Sequence, residues 1–87
     1  MFKIFLTKEA AKFYQKSDEK TKNRLDKCFE KLKINPNDGT NIKRLHGELS
    51  GLYRYRIGQL RVIYRIEEQR KVIVIAIGSR GNVYKKN

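Results

Sequence analysis

Two neighbouring runs, the first alternating strictly, constrain the second half of this chain. Residues 52–57 read LYRYRI and residues 60–66 read LRVIYRI, with only Gly58-Gln59 between them. Alternation at every second position turns one face of each run toward a core and the other away from it. A two-residue link containing glycine between two such runs predicts a tight β-hairpin. Residues 67–70 then make a second turn, and residues 71–77 read KVIVIAI. A nearly all-apolar run of that length predicts an interior strand covered on both faces, and Gly78 is expected to end it.

The first half has the other period. Residues 2–6, FKIFL, alternate weakly and predict a short first strand. Thr7 suits a helix N-cap, and Ala10, Phe13 and Tyr14 then share one face of a helix of about nine residues. Ser17 offers a second N-cap, followed by Asp18 and Glu19, whose charges suit the positive end of a helix. Leu25, Cys28, Phe29 and Leu32 follow the i, i+3, i+4, i+7 rule of an amphipathic helix. Pro36 disfavours helical geometry just before it, so this helix should stop near Ile34-Asn35. Asn37-Asp38-Gly39 completes a turn. The order β-α-α-β-β-β predicts an α+β fold, a helical hairpin packed on a mostly antiparallel sheet, with the first strand in that sheet. A chain of 87 residues is enough for one hydrophobic core and not two, so residues 1–87 are expected to form a single domain.

Several classes of function are excluded or disfavoured. No stretch approaches the roughly 20 apolar residues of a membrane span. Residues 2–6 are too short for a signal-peptide core, and Lys8, Glu9 and Lys12 follow soon after, so a cytoplasmic protein is expected. The single cysteine, Cys28, can make neither an internal disulfide nor a cysteine-based zinc site. Its place on the apolar helix face predicts a buried, inert thiol. No His/Cys/Asp cluster has ligand spacing, so no metal or cofactor is expected. There is no phosphate-cradling Gly-rich loop and no Ser/His/Asp set. His46, the only histidine, has Glu48 two residues on, but a loop pair of this kind is a weak signal, and both are left out of the site.

Charge gives the positive clue. The net charge is +12, whereas about 2 to 8 units suffice to keep a small domain in solution. Such an excess attracts polyanions and releases their counterions on binding. Residues 1–48 hold 12 basic and 7 acidic side chains, a mixed surface. Residues 49–87 hold 9 basic side chains against Glu67 and Glu68 alone. Alternation puts Arg54 and Arg56 on one face of their strand. In the next strand Arg61, Ile63 and Arg65 share a face. Paired in a hairpin, the two arginine rows would lie roughly 5–8 Å apart. Like charges so placed destabilise a sheet, and phosphate is the natural compensating group because the guanidinium fork donates two parallel hydrogen bonds to its oxygens. Past the last strand come Arg80, flanked by Gly78 and Gly81, then Tyr84 and Lys85. Tyr84 could stack on a base or simply anchor the tail. Arg65 and Lys85 are further candidates for binding phosphate.

These segments together resemble a known family. Lys43-Arg44-Leu45-His46-Gly47, then residues 52–58 (LYRYRIG) and 60–64 (LRVIY), resemble the RelE/ParE superfamily of toxins from toxin–antitoxin modules. The ending Ile77-Gly78-Ser79-Arg80-Gly81-Asn82-Val83-Tyr84 is similar to the RelE branch in particular. The resemblance covers essentially the whole chain. It implies a ribosome-dependent endoribonuclease that cuts mRNA in the decoding site, with no cofactor, and a cognate antitoxin protein as partner. In that chemistry the ribose 2′-OH attacks the adjacent phosphorus and leaves a 2′,3′-cyclic phosphate and a 5′-hydroxyl. Such an enzyme must activate the 2′-OH, stabilise the phosphorane-like charge and protonate the leaving oxygen. By the resemblance, Arg54 and Arg56 grip phosphate. Arg61 and Arg80 stabilise the transition state, with Arg80 also a candidate proton donor. Tyr84 stacks on the base or takes the 2′-OH proton. This chain has arginine where RelE enzymes can carry lysine, and Gly81 and Asn82 where the YoeB-like branch has a tail histidine. Arginine stays protonated, which suits phosphate and not general-base work. Two other readings compete. One is a ParE-like toxin that binds and poisons DNA gyrase without catalysis. The other is a plain nucleic-acid-binding module.

Overall fold

The computed structural model describes residues 1–79. Its elements are β1 (Lys3–Leu6), α1 (Lys8–Lys16), α2 (Glu19–Ile34), β2 (Ile42–Arg44), a short 3-10 turn (Gly47–Leu49), β3 (Tyr53–Ile57), β4 (Leu60–Glu67) and β5 (Lys71–Ser79). The five strands form one sheet in the order β1-β5-β4-β3-β2, with β1 parallel to β5 and all other pairs antiparallel. This is the expected helical hairpin on a mostly antiparallel sheet, with one additional strand, β2. Three residues of mixed polarity carry no period of their own, so β2 exists only because β3 offers it an edge.

Both helix starts show their chemistry. Thr7 caps α1: its hydroxyl oxygen accepts from the Ala10 N–H at 3.2 Å and its hydroxyl donates to the Ile75 carbonyl at 2.7 Å. The expected second cap moves by one residue. Asp18, not Ser17, caps α2, accepting from the Thr21 N–H at 2.8 Å. The carboxylate wins because it is the stronger acceptor and its charge meets the helix dipole. That hydrogen bond holds the Asp18 carboxyl below its ordinary pKa. Ser17 instead closes α1, donating to the Phe13 carbonyl at 2.7 Å.

Strand β5 also runs further than expected. Gly78 lies inside it, paired with Arg61, and Ser79 is its last residue. A bulge between Ile63 and Tyr64 leaves Ile75 as the extra residue of β5, and the Ile75 carbonyl is the one that takes the Thr7 hydroxyl. The irregularity in the sheet is thus tied to the start of α1. At the β3–β4 turn Gly58 adopts φ 55°, which costs a residue without a Cβ little.

Ala10, Leu25, Cys28 and Leu32 of the helices meet Tyr55, Val62, Tyr64, Val72, Val74 and Ile77 of the sheet in one buried cluster. Tyr64 is fully buried, stacks on Tyr53 at a centroid distance of 5.4 Å and donates to the Pro36 carbonyl at 2.8 Å. One phenol therefore fills the core and pins the turn after α2. Burial holds its pKa well above the ordinary tyrosine range. The Cys28 thiol is likewise buried and is pushed up to about 12 by desolvation. The thiolate is the nucleophile, so this cysteine is inert at neutral pH. The face of β5 away from the helices is only partly covered: Ile73 and Ile75 are half-buried, while Phe5 beside Ile73 is 45 % exposed.

Candidate functional site

Antiparallel partners share a sheet face, so the register places each arginine. Across the face opposite the helices, one row reads Lys43, Arg54, Ile63, Ala76 and the next reads Arg56, Arg61, Gly78. Arg56 is the direct partner of Arg61. Residues so paired have Cβ atoms about 4.5–5.5 Å apart, close enough for two guanidinium groups to repel. Gly78 and Ala76 have little or no side chain, which leaves a shallow floor beside Arg61.

Little inside the described residues offsets these charges. The Nη1 of Arg61 makes only long donations, 3.4 Å to the Leu60 carbonyl and 3.5 Å to the Gly58 carbonyl. Arg54 is half-buried, and its Nε is a buried donor with no hydrogen-bond partner among the described residues. A buried donor left unpaired is costly, more so when charged, so this nitrogen is suited to an incoming acceptor oxygen. Ile63 is only 4 % exposed although it sits amid this face. Its neighbours by register and strand spacing are Arg54, Arg61, Arg65 and Ala76, which fits arginine stems lying over apolar surface with their charged heads free. The arrangement is a patch of four cations, Lys43, Arg54, Arg56 and Arg61, built on two rigid strands and the short β2.

The family model for the ParE toxin of type II toxin–antitoxin systems matches residues 4–84. The chain belongs to this family. Solved structures agree on the fold. The YoeB/ParE toxin from Agrobacterium tumefaciens superposes with a TM-score of 0.81 at 20% identity, covering 91% of this chain and 99% of that one. The isolated E. coli RelE toxin gives 0.77 at 21% identity, covering 97% and 92%. The toxin-antitoxin complex RelBE2 from Mycobacterium tuberculosis gives 0.76 at 23% identity, covering 91% and 98%. At these identities the likeness shows a shared fold. No curated protein sequence matches the chain.

In this ParE-family chain the remaining sequence candidates fall apart from the patch or beyond view. Arg65 lies on the same face but is paired with Ile73 in register, and its Nε donates to the Glu67 carboxylate. This exposed ion pair offsets part of its charge. Arg80, Tyr84 and Lys85 lie outside the described residues. His46 is exposed and starts the 3-10 turn, in a loop whose small cavity is lined by Arg44, Tyr53 and Ile66 and not by the arginine patch. Among the described residues no group of three His, Cys, Asp or Glu side chains is placed to hold a metal ion. No described helix is long and apolar enough to cross a membrane.

Lys43 is the residue that the sequence reading missed. Its place opposite Arg54 depends on β2, and the only hint was a basic pair, Lys43-Arg44, just ahead of the hairpin.

Proposed function

We propose that this toxin is a ribosome-dependent endoribonuclease whose open sheet face receives the mRNA backbone. The observation that carries this reading is the juxtaposition of Arg54, Arg56 and Arg61 on one face, two of them direct partners, with a buried unpaired Nε on Arg54. A sheet that places like charges together and leaves a buried donor open is prepared for a polyanion, and a phosphodiester supplies both charge and acceptor oxygens. Arg54 and Arg56 hold the scissile phosphate and its neighbour. Arg61, beside the floor made by Gly78, stabilises the charge that develops as the 2′-OH attacks. Arg80 follows β5 directly in sequence, and Tyr84 comes four residues later. They complete the set by protonating the leaving oxygen and by stacking on the base or taking the 2′-OH proton. Arg65 and Lys85 assist in binding the flanking backbone. The reaction takes place in the cytoplasm, where the ribosome positions the message, and a cognate antitoxin with acidic and apolar residues covers the cationic face between uses.

The matched family description favours one other reading, a ParE-like toxin that poisons DNA gyrase without catalysis. Mapping mRNA 5′ ends on ribosomes after brief induction separates the two. Cleavage within the decoding site by the wild type, lost in Arg61→Ala and Arg80→Ala, supports the nuclease. Intact messages with DNA damage and filamentation would overturn it in favour of the gyrase reading.

A further inference from the structure

The arginine patch has a continuation around the edge of the sheet. Helix α2 advances about 100° per residue, so Lys20, Arg24, Lys27 and Lys31 fall within a sector of roughly 60°. The acidic residues of the same helix, Glu19, Asp26 and Glu30, lie on the other flank. There Asp26 accepts from Tyr14 and Glu30 pairs with Lys33. The cationic stripe thus lies apart from the acidic flank, where Lys22 and Lys33 stand among the carboxylates. Each neighbouring pair in the cationic stripe is spaced i, i+3 or i+4, which is unfavourable for like charges. The helix dipole does not explain the stripe, since it favours cations only near the C-terminus and Lys20 and Arg24 lie in the first half.

The stripe looks onto a groove. Strand β2 begins at Ile42, opposite Tyr55; just before it the Asn41 carbonyl accepts from the Arg56 N–H at 3.0 Å, and beyond that bond no described strand pairs with the edge of β3. Between that edge and α2 is a cavity of about 330 Å³, lined by Arg24, Lys27 and Lys31 from the helix and by Arg56 from β3. The Arg24 Nη1 reaches over the β3–β4 turn, 3.6 Å from where a Cβ on Gly58 would stand. No acidic side chain is among the described residues that line this groove. Arg56 belongs to both surfaces, lining the groove and partnering Arg61 in the patch.

We infer that this groove is a second phosphate track, which takes the RNA backbone flanking the cleaved linkage and leads it past Arg56 onto the sheet face. The occupant follows from continuity and charge. An evenly spaced row of cations that merges with an arginine patch matches a chain of phosphates. The inference rests on the nuclease reading above and extends the site it assigns.

The test uses the full chain and a fluorescein-labelled, mixed-sequence 2′-O-methyl single-stranded RNA, which has no 2′-OH to attack and stays intact during titration. Affinity is measured over a range of salt for the wild type and for the triple variant Arg24→Gln, Lys27→Gln, Lys31→Gln. A control, Lys12→Gln, Lys16→Gln, Lys22→Gln, removes the same charge from elsewhere on the helical layer. Far-ultraviolet circular dichroism verifies that both variants fold. The groove variant should lose about 2 units of the slope of log K against log salt, at roughly 0.7 per phosphate contact on a single strand. The control should keep the wild-type slope. Equal slopes for wild type and groove variant would overturn the inference while leaving the nuclease reading intact. Equal slopes together with a loss of antitoxin affinity would assign the groove to an acidic protein instead. Absence of RNA binding by the wild type would also overturn the inference, while the nuclease reading stands or falls on the mapped mRNA ends.

Discussion

On the helix side of the sheet, Tyr55, Val62, Tyr64, Val72 and Val74 are buried in one apolar cluster. On the other side of the same strands, Arg54, Arg56 and Arg61 stand together, with only long or absent partners among the described residues. The two faces differ by one residue of offset along each strand, yet their energetics are opposite. The helix side gains stability from removing apolar area from water. The open side loses a little through like-charge repulsion, and in the proposed function it is the binding face. On the proposed function, stability and activity are therefore separable, because alternation assigns them to alternate residues.

The largest stability effect should come from the buried side. Truncating Leu32, fully buried at the end of α2, is expected to cost about 2–5 kcal/mol, read as a lower urea midpoint. If Leu32→Ala unfolded no more easily than the wild type, the helix side would not be the source of stability. Arg61→Ala should show the converse. Cleavage of ribosome-bound mRNA should fall by about 10²–10³-fold, the usual loss when one transition-state donor is removed, with the melting temperature unchanged or slightly raised. A drop in stability to match the drop in cleavage would break the separation of faces.

Smaller changes sharpen the comparison. Tyr64→Phe keeps the ring and removes the donor to the Pro36 carbonyl, so it should cost about 1–3 kcal/mol by leaving that carbonyl unpaired. The Cys28 thiol gives the buried face a pH signature. Its folded pKa is raised to about 12 from an ordinary 9.0, so the unfolded chain ionises first. Its contribution is whole below about pH 9 and is lost as pH rises from there toward 12, at no more than about 1.4 kcal/mol per pH unit. Cys28→Ala should flatten this alkaline decline in a denaturation series, and an unchanged slope would place its origin elsewhere. Smallest of all, Arg56→Thr should relieve the repulsion with Arg61 and raise stability by a few tenths of a kcal/mol. A loss there would mean that the arginine pair is already compensated within the protein.

Which residues face which way could be read from the chain alone. Period-2 alternation in residues 52–57 and 60–66 separated the arginines from the core, and the helical period did the same for Leu25, Cys28 and Leu32. Both are local signals, set by backbone geometry that each segment carries alone. The tertiary structure decided what those faces meet. Strand β2 forms only against β3, and with it comes Lys43 opposite Arg54. Gly78 pairs instead of ending β5, because β4 extends far enough to hold it there. The groove between α2 and β3 has no counterpart in any single segment, since its cations come from stretches some 25–35 residues apart that only packing brings together. Long-range register and inter-element charge depend on contacts that no local window contains, and for that reason the residues facing solvent were legible while their neighbours were not.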